Sequence, residues 1–185
     1  MAVIVSLFRA VNVGGRNRIK MDALRDLCTT LKFRDVRTYV QSGNVVFSTR
    51  EQDMKRLVKQ IENAVEKTFG FRSDAILRTT ADLRGVVARN PFAKRDCNPS
   101  RLLVTFLAGD PAVGAAEQIR KIPADPEELV LDGRELYIYY PEGMGRSRLS
   151  ATAIGKALQT PGTARNWNTV VKLLEMAEEL EAASK

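Results

Sequence analysis

The sequence predicts an α+β fold in which a β-α-β-β-α order occurs twice in tandem, each unit an antiparallel or mixed sheet covered by helices. Three observations carry this. Short apolar, β-rich runs alternate with stretches of helical periodicity in the same order in both halves. Turn signals, Ser42-Gly43-Asn44 and Asp132-Gly133, fall at matching places in the two series. One stretch between the halves, Asn90 to Ser100, holds two prolines and is the only boundary candidate.

Val3 to Phe8 is nearly continuous in apolar residues, as a central strand should be. A glycine-bearing loop follows, and Met21, Leu24, Leu27, Cys28 and Leu31 then recur at helical spacing. Val36–Gln41 and Val45–Thr49 flank the Ser42-Gly43-Asn44 turn as a hairpin. Met54, Leu57, Val58, Ile61, Val65 and Phe69 mark an amphipathic helix, with Ser48 and Glu51 as its expected capping box and Gly70 beyond its end. Ala75–Leu77 adds a strand, which completes a ferredoxin-like order. A short helix over 81–90 stops before Pro91.

The second series opens with a strand from Arg101 to Leu107. Asp110-Pro111 reads as N-cap and N1 of a helix carrying Val113, Ala116, Ile119 and Ile122. Leu129–Leu131 and Leu136–Tyr140 flank Asp132-Gly133, and helices over 149–158 and about 168–182 finish the chain. The expected division is a first unit at 1–90, a linker at 91–100, and a second unit with its C-terminal helix at 101–185.

A length of 185 residues and an apolar fraction of 44% suit one mid-sized globular domain or two small ones. The opening apolar run has no basic segment before it and no small-residue cleavage site after it, so a cytoplasmic location is expected, without a membrane partner. The chain has no histidine. That excludes Ser-His-Asp and Cys-His catalysis, and histidine-based zinc and iron sites. Cys28 and Cys97 cannot build a structural zinc site, and Cys28 falls on the apolar stripe of the first helix. No metal and no cofactor are expected.

Lys and Arg number 29 against 22 Asp and Glu, a net +7. Residues 1–50 alone hold nine basic and three acidic side chains. Met1–Met21 and Gly143–Leu174 contain no acid, while Arg9, Arg16, Arg18 and Lys20 fall in the first and Arg146, Arg148, Lys156, Arg165 and Lys172 in the second. If neighbours in space, the two segments form one positive face, which attracts phosphates or other anions.

Three segments stand out as candidate ligand sites. The loop from Arg9 through Asn12, Gly14, Gly15 and Arg16 to Asn17 lies between the first strand and the first helix. There, backbone N–H groups and arginines can hold an anion, or the glycines can simply serve a tight turn. Arg146, Ser147 and Arg148 follow a second glycine-rich strand-to-helix loop, expected at the same place in its repeat. Arg165, Asn166, Trp167 and Asn168 hold the only tryptophan. It reads either as a core plug, with Asn168 capping the helix, or as a stacking platform beside an exposed Arg165. Gln41, Ser42 and Asn44 of the hairpin complete the candidate set.

Phe8-Arg9-Ala10-Val11-Asn12-Val13-Gly14-Gly15-Arg16-Asn17, Thr38 to Phe47, Asn90-Pro91-Phe92 and Arg165-Asn166-Trp167-Asn168-Thr169-Val170 together resemble the bacterial family called domain of unknown function 1697. The likeness runs in one order from about Val3 to about Leu174, with Ala10 where that pattern has glycine. The resemblance implies a full-length unit and brings no activity or catalytic residue. The residues themselves favour an anion-binding module for nucleic acid or nucleotide, in an architecture that sheet-face RNA binders use. The alternatives are a small-molecule enzyme acting on an anionic substrate without histidine, and a protein interaction domain using the acidic tail helix. Whether the chain is an enzyme, and its oligomeric state, stay open at this point.

Overall fold

The computed structural model describes residues 1–183. Two four-stranded antiparallel sheets are each built by a β-α-β-β-α-β series. Two compact units divide the chain. The first comprises Met1–Arg84 with the described residues from Lys172 onward, and the second comprises Gly85–Val171.

In the first unit, β1 (Ala2–Phe8), α1 (Met21–Thr30), β2 (Arg34–Tyr39), β3 (Asn44–Thr49), α2 (Met54–Phe69) and β4 (Ala75–Thr79) follow one another, and α3 (Thr80–Ala88) begins directly after β4. The strand order β2-β3-β1-β4 places β3 between β1 and β2, the ferredoxin-like arrangement. Ile4, Phe8, Phe47 and Leu77 on one sheet face pack against Leu24 and Cys28 of α1 and Leu57, Ile61 and Val65 of α2. The spacing of four between the three α2 residues sets them on one stripe, and each contributes about 1.5–3 kcal/mol by leaving water. Phe33 stacks on Phe47 with ring centroids 4.2 Å apart.

The start of α2 differs from the expected capping box. Asp53 is the N-cap and accepts from the N–H groups of Lys55 and Arg56, while Ser48 is a buried β3 residue. Asp53 lies next to the first helical residue, where its carboxylate reaches those N–H groups; Ser48 is still in the strand ladder. Gly70 ends α2 in the left-handed conformation at φ +78°.

The second unit runs β5 (Leu102–Leu107), α4 (Ala115–Arg120), β6 (Glu128–Asp132), β7 (Glu135–Tyr139), α5 (Ala151–Leu158) and β8 (Gly162–Asn166), with α6 (Trp167–Ala183) starting at once after β8. Its order β6-β7-β5-β8 repeats that of the first sheet. The β6–β7 hairpin closes at the Asp132–Glu135 pair, and Gly133 supplies φ +56° to the turn. Leu107, Leu136 and Ile138 pack with Ile119 and Leu158 in this unit's core. Two expectations are corrected. Asp110-Pro111 lies in a loop and α4 is capped at Gly114, which leaves Val113 fully exposed. The segment 162–166, where no strand is expected, is strand β8.

In both units the last strand carries a buried arginine. Arg78 lies opposite Val5 and is 1% exposed; Arg165 lies opposite Val104 and is 6% exposed. These are equivalent positions of the two repeats. They sit on the sheet faces turned away from the helix-packed cores.

Burial extends to both faces of the central strands of the first sheet. All of β3, and β1 from Val3 to Phe8, are buried. The two central strands, on which single-strand RNA binders stack bases, therefore present no open face here.

Cys28 is 2% exposed, and burial pushes its thiol up to about 12. At about pH 8 only on the order of one Cys28 in ten thousand is thiolate. Alkylation of the native chain with iodoacetamide should therefore label Cys97, which is half-buried in the 91–100 loop, and spare Cys28. In concentrated guanidinium chloride both should react. Rapid double labelling of the folded chain, read by intact mass, would contradict the buried core position.

Candidate anion-binding site

The end of the first sheet where β1 stops and β3 starts collects the loop 9–20 and the hairpin loop 40–43. Backbone bonds tie them down: the Phe8 N–H donates to the Gly43 carbonyl at 2.9 Å, and the Arg9 N–H to the Asp74 carbonyl at 3.0 Å. Ser73 Oγ donates to the Arg9 carbonyl at 2.7 Å. Gly43 has φ +73°, and a Cβ there would stand 3.0 Å from Phe8 Cβ and 3.3 Å from Val11 Cβ. Only glycine lets the hairpin approach β1 this closely.

The asparagines of the motif are spent inside the loops. Asn12 Nδ2 donates to the carbonyls of Gln41 at 2.8 Å and Ile19 at 2.9 Å, and its Oδ1 accepts the Ile19 N–H at 2.9 Å. Asn17 Nδ2 donates to the Ala10 carbonyl at 3.0 Å. Asn44, fully buried, donates to the Tyr39 carbonyl and to Ser42 Oγ, both at 2.9 Å. Gly14 and Gly15 supply consecutive positive φ values, +57° and +75°, to the turn closed by the Arg16 N–H on the Val13 carbonyl.

Among the described residues, seven non-glycine residues have positive φ, and four of them, Ala10, Asn12, Asn17 and Val40, lie at this end. Such strain persists only where surrounding bonds over-determine the backbone, and it gathers at ligand sites. Ala10, at φ +57°, holds a conformation that costs an L-residue and that glycine adopts freely.

With the amides used internally, cations form the outer surface. Arg9 is paired with Asp74 at 3.1 Å. Arg16, Arg18 and Lys20 are exposed, and their side chains have no partner among the described residues. Arg18, Lys20, Gly15 and Asn12 line an open groove of about 810 Å³. Its one acid, Asp22, is held by Arg25 at 2.7 Å. Arg18 and Lys20 were legible only as charge; their signal as groove residues is that they directly precede α1.

The other candidates belong to the second unit. Arg146 and Arg148 are exposed, and Ser147 Oγ accepts the Leu149 N–H at 3.0 Å. Their loop follows β7, not β5, so it is not the counterpart of the loop after β1. That counterpart is 108–114, which has no Lys or Arg and carries Asp110. The reason is topological: the repeat places the second glycine-rich loop after the fourth element rather than the first.

Arg165 also departs from expectation. It is buried, not exposed beside the indole, and its Nη1 donates to Thr163 Oγ1 and to the Ala164 carbonyl, both at 2.8 Å. Loss of solvent lowers its guanidinium to about 10, which leaves it charged at neutral pH. Trp167, half-buried, is the first residue of α6. Asn166, rather than Asn168, caps that helix: its Oδ1 accepts the Thr169 N–H at 2.9 Å, and Asn168 is exposed within the first turn. Among the described residues no cluster of carboxylates and thiols is placed to hold a metal ion, and no helix is long and apolar enough to cross a membrane.

No curated protein matches the chain. Among solved structures, the conserved bacterial protein SP0830 from Streptococcus pneumoniae matches with a TM-score of 0.72 and 23% identity, over 95% of this chain and 98% of that one. A likeness at that identity concerns the fold. Residues 1–137, which include both loops at this end of the first sheet but not the Arg165–Val170 motif, match the family described as protein of unknown function DUF1697, and the chain belongs to that family.

Proposed function

We propose that the loop edge of the first unit is an anion-binding surface that takes the phosphate backbone of single-stranded nucleic acid. One observation carries the reading. The motif amides of Asn12, Asn17 and Asn44 are consumed in fixing the loops, which leaves Arg16, Arg18 and Lys20 projecting from a rigid ledge without acidic partners. A fixed ledge holds cations in register with a backbone at little ordering cost. The buried central strands of the first sheet leave no stacking platform on β1 and β3, so contact through phosphates, with weak sequence preference, is what the ledge supports.

The test is affinity for mixed single-stranded RNA and DNA across a salt series. About three phosphate contacts give a log–log slope of roughly −2. A slope near zero, or no binding at about 50 mM salt, contradicts the nucleic-acid reading.

A further inference from the structure

The opposite end of the same sheet, roughly 20 Å away along β1, holds a second groove of about 750 Å³, formed by the end of α1, the start of β2, the end of β3 and the first turn of α2. We propose that this groove is a separate site for a small organic polyphosphate of the nucleoside di- or triphosphate class, with the phosphates on Lys32, Arg34, Arg50 and Arg56 and the flat apolar part on the exposed Met1 and half-buried Leu31.

The charge is lopsided. Four cations line the groove against one carboxylate, Glu51. Glu51 is already engaged: its Oε1 accepts the N–H groups of Gln52 and Asp53, and its Oε2 lies 3.4 Å from Arg56 Nε. The side chains of Lys32, Arg34 and Arg50 have no partner among the described residues. Like charges gathered around one concavity repel in the empty site and are relieved by a multiply charged anion. The volume is that of a small-molecule pocket, and an apolar floor with a few charged walls suits a ligand with both characters.

The backbone is bent to make this arrangement. Arg34 pairs with Ser48 and Arg37 with Val46, so Asp35 and Val36 together oppose Phe47 alone. This bulge, with Asp35 at φ +53°, is of the kind that re-aims a side chain. Lys32 follows α1 at φ +64°, with its N–H on the Thr29 carbonyl at 3.0 Å and the Phe33 N–H on the Cys28 carbonyl at 3.3 Å. That is the helix-ending position where glycine is favoured. A lysine there trades conformational ease for a cation at the rim of the groove.

The test is calorimetric titration of the full chain with ATP and with inorganic triphosphate. Removing one charge-assisted hydrogen bond should weaken affinity about tenfold, so Arg34→Gln with Arg50→Gln should weaken ATP binding at least about tenfold with an unchanged melting temperature. Lys121→Gln, a surface cation of the second unit, should leave it as in the parent. Lys32→Gly should raise the melting temperature while weakening ATP binding, a pair of signs that a purely structural lysine would not give. ATP should bind more tightly than triphosphate. Absence of ATP binding, an R34Q/R50Q variant equal to the parent, or equal affinity for ATP and triphosphate overturns the proposal. Oligonucleotide binding at the loop ledge is read separately, so either site can fail alone.

Discussion

Asn12→Ala is expected to destabilise the chain by about 3 kcal/mol, or a melting shift of roughly 6–12 °C for a chain of this size. Asn12 makes three side-chain hydrogen bonds, one that ties the loop after β1 to the hairpin at Gln41 and two that close the loop on Ile19, just ahead of α1. The site is half-buried, so water replaces only part of what is removed, at about 1 kcal/mol for each bond. Alanine also tolerates φ +56° less well than asparagine. Asn12→Gly separates the two causes: it relieves the backbone but restores no bond, so it should fall between the parent and alanine. Thermal unfolding with all three chains checks this. A neutral Asn12→Ala would mean that the loops are held by other groups. Because the ledge depends on this latch, both variants should also weaken nucleic-acid binding while every cation remains in the chain.

Arg165→Ala is expected to cost about 3 kcal/mol, while Arg16→Ala stays within about 0.5 kcal/mol of the parent. The Arg165 side chain fills a buried position opposite Val104 and donates to Thr163 and Ala164. Truncation leaves a cavity and removes the donor from the buried Thr163 hydroxyl and the part-buried Ala164 carbonyl, two of the few mechanisms that produce effects of this size. Arg16 is a surface group with no side-chain partner among the described residues. The two arginines should also divide in function. Oligonucleotide affinity should fall for Arg16→Ala and persist for Arg165→Ala wherever the latter is still folded. Denaturant titration with a binding assay on the same samples reads both. A stable Arg165→Ala would return that residue to the surface.

The double ferredoxin-like plan was legible because most of its elements carry ordinary hydrophobic patterning. The β1 run, the α2 stripe and the two hairpin signals each pointed to one structure, and they agreed with one another. What failed did so for physical reasons. β8 alternates inward and outward, but its inward residues are Thr163 and Arg165, so its pattern of burial does not look like a pattern of hydrophobicity. The α4 region carries a strong N-cap signal at Asp110-Pro111, yet those residues lie in the preceding loop and the helix starts after Gly114. The cap of α6 moved two residues, from Asn168 to Asn166, because the strand runs directly into the helix.

The site was legible in part. The glycine-rich loop and the motif asparagines fall together at one end of the first sheet, but composition could not say that Asn12, Asn17 and Asn44 turn inward and leave the cations outside. The second groove had no local signal. Lys32 and Arg34 are separated in sequence from Arg50 and Arg56, and only the β2–β3 pairing brings them to one concavity.

In the reading proposed above, Arg16, Arg18 and Lys20 are the centre of the anion-binding ledge. Reversing all three to glutamate tests that role most directly, with affinity for a single-stranded oligonucleotide and melting temperature measured on the same protein. Lys20 is the N-cap of α1 and makes no side-chain cap bond, so glutamate beside that helix start is tolerated or mildly favourable. The expected result is an affinity loss of at least about 100-fold at low salt, since each favourable contact becomes a repulsion, with the melting temperature within a few degrees of the parent. Unchanged affinity in the folded triple variant would contradict it.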